Sequence, residues 1–103
     1  MDIFTFEDAT LLNDGTGIVL KEIFASRQIV IRQVLLHTGG KLEKYTENTE
    51  QLFYITEGEG TMVIQAERKR IVRGMLIRCP AKAQRSVVNS SSKDLSFLVI
   101  TPQ

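Results

Sequence analysis

Three side chains in one polar stretch of this sequence have types and spacing suited to chemistry: Tyr45, Glu47 and Gln51. A phenol, a carboxylate and an amide supply a proton donor, an anion and a two-way hydrogen-bonding group. Together they could orient a polar ligand, and Glu47 or Tyr45 could move a proton as acid or base. They lie within Gly39 to Gly60, GGKLEKYTENTEQLFYITEGEG, the stretch around which the rest of the chain is organised. His37, the lone histidine, precedes Thr38-Gly39-Gly40 and has no partner at metal-ligand spacing. We read it as a solvent-facing residue at a strand end.

Strands must position these groups. The first half of the central stretch is polar and irregular, so it is expected to enter as a loop that brings Tyr45, Glu47 and Gln51 together. Leu52 to Ile55 is an apolar, β-branched and aromatic run. Gly58 and Gly60 bracket an expected reversal with φ > 0, a hairpin into a strand from Thr61 to Gln65. Upstream, Met1 to Asn13 reads as an extended arm and Asn13-Asp14-Gly15-Thr16-Gly17 as a turn. Ile18 to Phe24 and Gln28 to Leu36 follow as two strands around an Ala25-Ser26-Arg27 loop. In the second, Ile29, Ile31 and Gln33 share one face, and Val30, Arg32 and Val34 share the other. Downstream, Glu67-Arg68-Lys69-Arg70 reads as a solvated hairpin tip. Ile71 to Arg73 and Met75 to Cys79 are strand-like, the latter stopped by Pro80, which cannot donate to a ladder. Ser86 to Asn89 is short and β-like, Ser90 to Asp94 is a turn, and Leu95 to Thr101 closes the chain. No segment keeps a 3.6-residue apolar period, and turn signals recur about every ten residues, the pattern of an all-β sandwich or barrel.

Size and charge narrow the function classes. The 103 residues suit one domain, with residues 1–16 as an N-terminal arm and 17–101 as the barrel. Net charge is +1, which gives no electrostatic case for nucleic acid or an anionic membrane. No apolar run reaches membrane-spanning length, and MDIFTFED has neither the basic nor the apolar region of a secretory leader. One cysteine excludes an intrachain disulfide and fits a reducing compartment, so the cytoplasm is the expected location. Ile3, Phe4 and Phe6 in the arm leave apolar surface to cover, and a homodimer pairing through residues 1–12 or a neighbouring strand is expected.

The punctuating residues resemble the cupin family, small jelly-roll barrels with two signature motifs. The first runs Gly, five residues, His-x-His, three or four residues, Glu, six residues, Gly. Here Gly39, Tyr45-Thr46-Glu47, Gln51 and Gly58 stand at that spacing. The second runs Gly, five residues, Pro-x-Gly, two residues, His, three residues, Asn. Gly74, Pro80, Lys82, Arg85 and Asn89 stand there. The resemblance covers about residues 30 to 101 and implies a single jelly-roll β-barrel. Metal-binding members place three His and one Glu at positions held here by Tyr45, Glu47, Gln51 and Arg85. Only Glu47 is a good ligand, and the permanently charged guanidinium of Arg85 repels a cation. No metal or other cofactor is therefore expected. Cys79, near the mouth of such a barrel, is read as a small buried apolar residue, the alternative being a thiol activated by Arg78 or Arg85.

Two arrangements of the altered site follow. Arg85 and Glu47 form an ion pair across the old metal cavity, or Arg85 contacts a carboxylate, phosphate or sugar oxygen while Tyr45 and Gln51 orient the ligand. The leading functional expectation is metal-independent binding of an anionic or sugar-like small molecule. The alternatives are a metal-independent isomerase or epimerase using Glu47 or Tyr45, and a structural dimer without a ligand.

Overall fold

Alternating apolar and polar side chains build strands, and this chain is strands throughout. A computed structural model describes all residues 1–103. Its strands are β1 (Thr10–Gly15), β2 (Ile18–Ala25), β3 (Ile29–Leu36), β4 (Lys41–Tyr45) and β5 (Gln51–Glu57), followed by β6 (Glu59–Ile64), β7 (Glu67–Val72), β8 (Leu76–Cys79), β9 (Arg85–Val88) and β10 (Leu95–Pro102). They form two antiparallel sheets, ordered β1-β2-β3-β10-β5-β8 and β4-β9-β6-β7. No ladder joins the sheets, so the jelly roll is a pair of packed sheets rather than a hydrogen-bonded closed barrel. Both sheets contribute to the core: Val34, Leu36, Phe53, Ile55, Leu95, Phe97 and Val99 from the larger, Met62, Ile71 and Val87 from the smaller. Phe53 and Phe97 pack with ring centroids 5.8 Å apart and planes tilted by 41°. No helix is long and apolar enough to cross a membrane.

Four segments differ from the sequence-based expectation. Thr10–Gly15, read as arm and turn, is β1, hydrogen-bonded to β2 at the edge of the larger sheet. Every residue of β1 is exposed, so it has no buried face to produce an apolar alternation. Lys41–Tyr45, read as loop, is β4; its Glu and Lys face solvent on an edge strand, where charges are tolerated. Glu67–Arg70 is not a hairpin tip but the first part of β7, another edge strand, and the reversal falls at Gln65-Ala66.

The fourth difference concerns Gly58 and Gly60. β5 belongs to the larger sheet and β6 to the smaller, so the chain crosses between sheets here instead of turning back in a hairpin. Gly58 does have positive φ, +80°, and a Cβ at this position would collide with the Asp94 carbonyl oxygen. Gly60 lies outside the positive-φ region and serves close packing: a Cβ would sit 2.6 Å from Leu95 Cδ2 and 2.7 Å from Val88 O.

Candidate functional site

Strand alternation aims two of the expected site residues inward. Gln51 opens β5 and shares its inner face with Phe53 and Ile55; Arg85 opens β9 and shares its inner face with Val87. Tyr45 ends β4 opposite Arg85. A register shift between Leu42 and Tyr45 changes the inside-outside parity, so both these residues pack against the core although they are three apart. Glu47 follows in the loop, where its carbonyl accepts a 2.6 Å hydrogen bond from the Lys82 N–H. Lys82 has φ +65°, the left-handed region, at the position where the resembling motif has glycine.

Three of these groups form one closed network. Arg85 is fully buried. Its Nε and Nη2 donate to Ala83 O at 3.1 and 2.7 Å, Nη2 also reaches Pro80 O at 3.2 Å, and Nη1 donates to Gln51 Oε1 at 2.9 Å. The Tyr45 hydroxyl donates to the same Gln51 oxygen at 2.7 Å, and Gln51 Nε2 donates to Thr101 Oγ1 at 2.9 Å. The guanidinium carbon lies 5.3 Å from the centroid of the Tyr45 ring, a cation–π contact. Arg85 and Tyr45 belong to the smaller sheet, Gln51 and Thr101 to the larger, so the network fastens together two sheets that share no ladder. Carbonyl dipoles, an amide and an aromatic face stand in for a counter-charge. The expected Arg85–Glu47 ion pair is not formed, and no carboxylate pairs with Arg85.

In front of this network lies a cavity of about 230 Å³. Leu20, Val34, Leu42 and Val99 give it apolar walls, and Tyr45, Glu47, Gln51, Thr101 and Arg32 give it polar ones. The expectation that Arg85 faces the cavity is corrected: its side chain is behind Tyr45 and Gln51 and does not line the space. Arg32, which sequence reasoning did not single out, does line it. The signal was available, because Arg32 alternates with Val34 on one face of β3, and Val34 is core. Burial pushes the Tyr45 phenol up to about 12; the Glu47 carboxylate adds to this, while the Arg85 cation and the Gln51 hydrogen bond oppose it. Tyr45 is therefore a poor proton source or sink near neutrality.

The donor set does not fit a divalent metal ion. Both lone pairs of Gln51 Oε1 are engaged, by Arg85 and Tyr45, and the cation at Arg85 adds repulsion. No group of three or more His, Cys, Asp or Glu converges anywhere in the chain. His37 is exposed at the end of β3, its Nδ1 3.0 Å from Asp94 Oδ1. Cys79 is fully buried, and burial raises its thiol pKa more strongly than Arg85 lowers it, which suits a packing role over an activated thiol. Asn89, also fully buried, donates to Leu36 O and Lys93 O at 2.8 and 2.7 Å and accepts from Ser91, holding the Ser90–Lys93 turn.

A second hollow, about 300 Å³, opens between the edges β7 and β8 over Met62, Ile71 and Ile77. It is larger, but its rim cations Lys69, Arg70 and Arg78 already sit beside Glu67, Glu59 and Glu50. It holds none of the site residues expected from the sequence.

Comparison with known proteins agrees with this architecture. Residues 32–101 match the family model described as cupin domain. KdgF from Halomonas sp. superposes with a TM-score of 0.85 at 15% identity, covering 100% of this chain and 94% of that one. A predicted oxalate decarboxylase from Thermotoga maritima gives 0.87 at 16% identity, with 99% and 100% covered. The polyketide cyclase RemF from Streptomyces resistomycificus gives 0.85 at 17% identity, with 99% and 79% covered. At these identities the likeness is one of fold. No curated protein matches the chain.

Proposed function

The chain belongs to the cupin family, and from that premise we propose that it binds a small molecule in the barrel cavity without a metal ion. One observation carries this reading: a roughly 230 Å³ space with four apolar walls, backed by a hydrogen-bond network closed on itself. A polar wall held rigid by its own bonds is preorganised and loses little freedom when a ligand arrives. The fold alone selects no reaction, since proteins of similar structure include a predicted oxalate decarboxylase and a polyketide cyclase.

The test is a fragment screen of small acids and sugars on chelator-treated protein, followed by amide NMR shifts. Shifts that cluster at Leu20, Val34, Leu42 and Val99 support the reading. Binding that appears only after addition of a divalent metal overturns it.

One observation favours a metal-independent isomerase or epimerase as a second reading. Glu47 lines the cavity with no ion-pair partner and no side-chain hydrogen bond, a free base in reach of a ligand. Tyr45, with its phenol engaged and raised to about 12, does not share that role. Retained turnover in Glu47→Gln would dismiss this assignment.

The partner we propose is a second copy. Six of the nine exposed large apolar side chains, Met1, Ile3, Phe4, Phe6, Leu11 and Leu12, fall in the first twelve residues, beside or on the edge strand β1. Light scattering that returns a monomer mass at micromolar concentration overturns the dimer. The buried free thiol fits a reducing compartment, and we place the protein in the cytoplasm.

A further inference from the structure

Two opposite charges line the same cavity without meeting each other. Glu47 is half-buried, yet its carboxylate receives neither an ion pair nor a side-chain hydrogen bond from the protein. A partly desolvated carboxylate gains from a donor, and here the chain supplies none. Arg32 is held only loosely: its sole carboxylate neighbour is Glu22, with Nε and Nη2 both 3.5 Å from Oε1. At that distance the contact is weak, and an exposed pair of this kind contributes little. Most of the hydrogen-bonding capacity of the Arg32 fork thus remains for an incoming acceptor.

The other polar groups of the wall are already engaged. The Tyr45 hydroxyl and both Gln51 side-chain atoms serve the Arg85 network, and Thr101 Oγ1 accepts from Gln51. A ligand therefore meets two open charges, Arg32 and Glu47, across a body-sized apolar space formed by Leu20, Val34, Leu42 and Val99. At roughly 30 Å³ for each water-sized group, the cavity holds about eight non-hydrogen atoms. That is smaller than a typical pocket for a drug-sized molecule.

We infer that the ligand is a compact carboxylic acid that also carries a hydroxyl or amino donor, with its carboxylate on Arg32, its donor on Glu47 and a short branched body against the apolar walls. This rests on the cavity being a ligand site, and it specifies the chemical class that site takes. The two charges also select against close relatives of such a ligand. An acid lacking the donor leaves Glu47 unpartnered, and a neutral amide leaves Arg32 without its anion.

The experiment uses three matched probes at millimolar concentration: 2-hydroxyisovalerate, isovalerate and isovaleramide. Each is titrated into the full chain and followed by amide NMR shifts. The hydroxy acid is expected to bind about tenfold more tightly than the amide, with isovalerate between them, as charge-assisted hydrogen bonds outweigh neutral ones. Arg32→Gln should remove the acid's advantage and leave the amide unchanged. Glu47→Gln should bring the hydroxy acid down to isovalerate. Both positions are partly exposed, so wild-type-like amide spectra will show that the variants fold. Equal affinity for acid and amide, or acid binding indifferent to Arg32→Gln, overturns the ligand class while leaving the cavity a binding site. Cavity resonances that move with none of the three probes overturn the binding-site reading and this inference with it.

Discussion

The back and the front of the cavity are built from similar polar groups and behave in opposite ways. At the back, Arg85 is completely buried, and four hydrogen bonds tie it to two loop carbonyls and Gln51. At the front, Arg32 keeps 46% of its side chain exposed and has one loose contact. Glu47, half-buried in the wall of the same cavity, has no partner for its carboxylate. A guanidinium taken out of water must replace its hydration completely, so a buried arginine recruits every acceptor in reach and becomes structural. A guanidinium that still meets solvent can remain incompletely bonded at little cost, which keeps it available. Within one cavity, depth separates the group that holds the sheets together from the groups that could hold a ligand.

The strongest way to break this comparison is at the back. Arg85→Ala should destabilise the fold by about 3–5 kcal/mol, since it opens a core cavity and strands buried acceptors. Urea unfolding measures it; a loss below about 1 kcal/mol would mean that the network does not fasten the sheets.

Tyr45 sharpens the contrast through pH. Its phenol ionises at about 12 in the fold and near 10 in the unfolded chain. The folded state thus favours the neutral phenol, and the associated stability is fully present below pH ~10 and lost as pH rises toward ~12. Tyr45→Phe should cost on the order of 1 kcal/mol at neutral pH through the lost bond to Gln51, and should remove this part of the alkaline decline. Urea midpoints across that pH range for both proteins decide it, and identical slopes would refute the assignment to Tyr45.

The smallest effect belongs to the front. Glu47→Gln removes a charge that no protein group uses, so stability should change by no more than about 0.5 kcal/mol. A larger loss in the same unfolding assay would reveal that Glu47 has a structural role and erase the distinction between front and back.

Much of the fold was legible wherever a strand buries one face. β5 was legible as the apolar, β-branched and aromatic run Leu52 to Ile55, although the letters do not show that Gln51, Phe53 and Ile55 are the residues turned inward. The strands that escaped notice are edges: β1 is exposed along its whole length, and β4 and the first part of β7 are dominated by charges. These stretches are specified by the neighbour they pair with, which leaves no local trace, whereas the edge strand β8 kept an apolar run that was legible. The site was legible as a neighbourhood. Tyr45, Glu47 and Gln51 do gather at one cavity, as their spacing implied, but the partner expected for Arg85 was wrong. Charge complementarity suggested Glu47, whereas burial depth selected Gln51 and two backbone carbonyls.

By itself, the sequence determined the all-β class, the strands that bury a face, the cupin-type spacing of glycines and proline, and the absence of a histidine-rich ligand set. These follow from residue type and from separations along the chain, which are local quantities. Only the tertiary structure decided that Gly58 carries the chain between sheets, that Arg85 lies behind the cavity, and that Arg32 lines it. Each of these depends on which side of a strand meets which other strand, and a single register shift such as the one in β4 reverses that outcome without changing a letter.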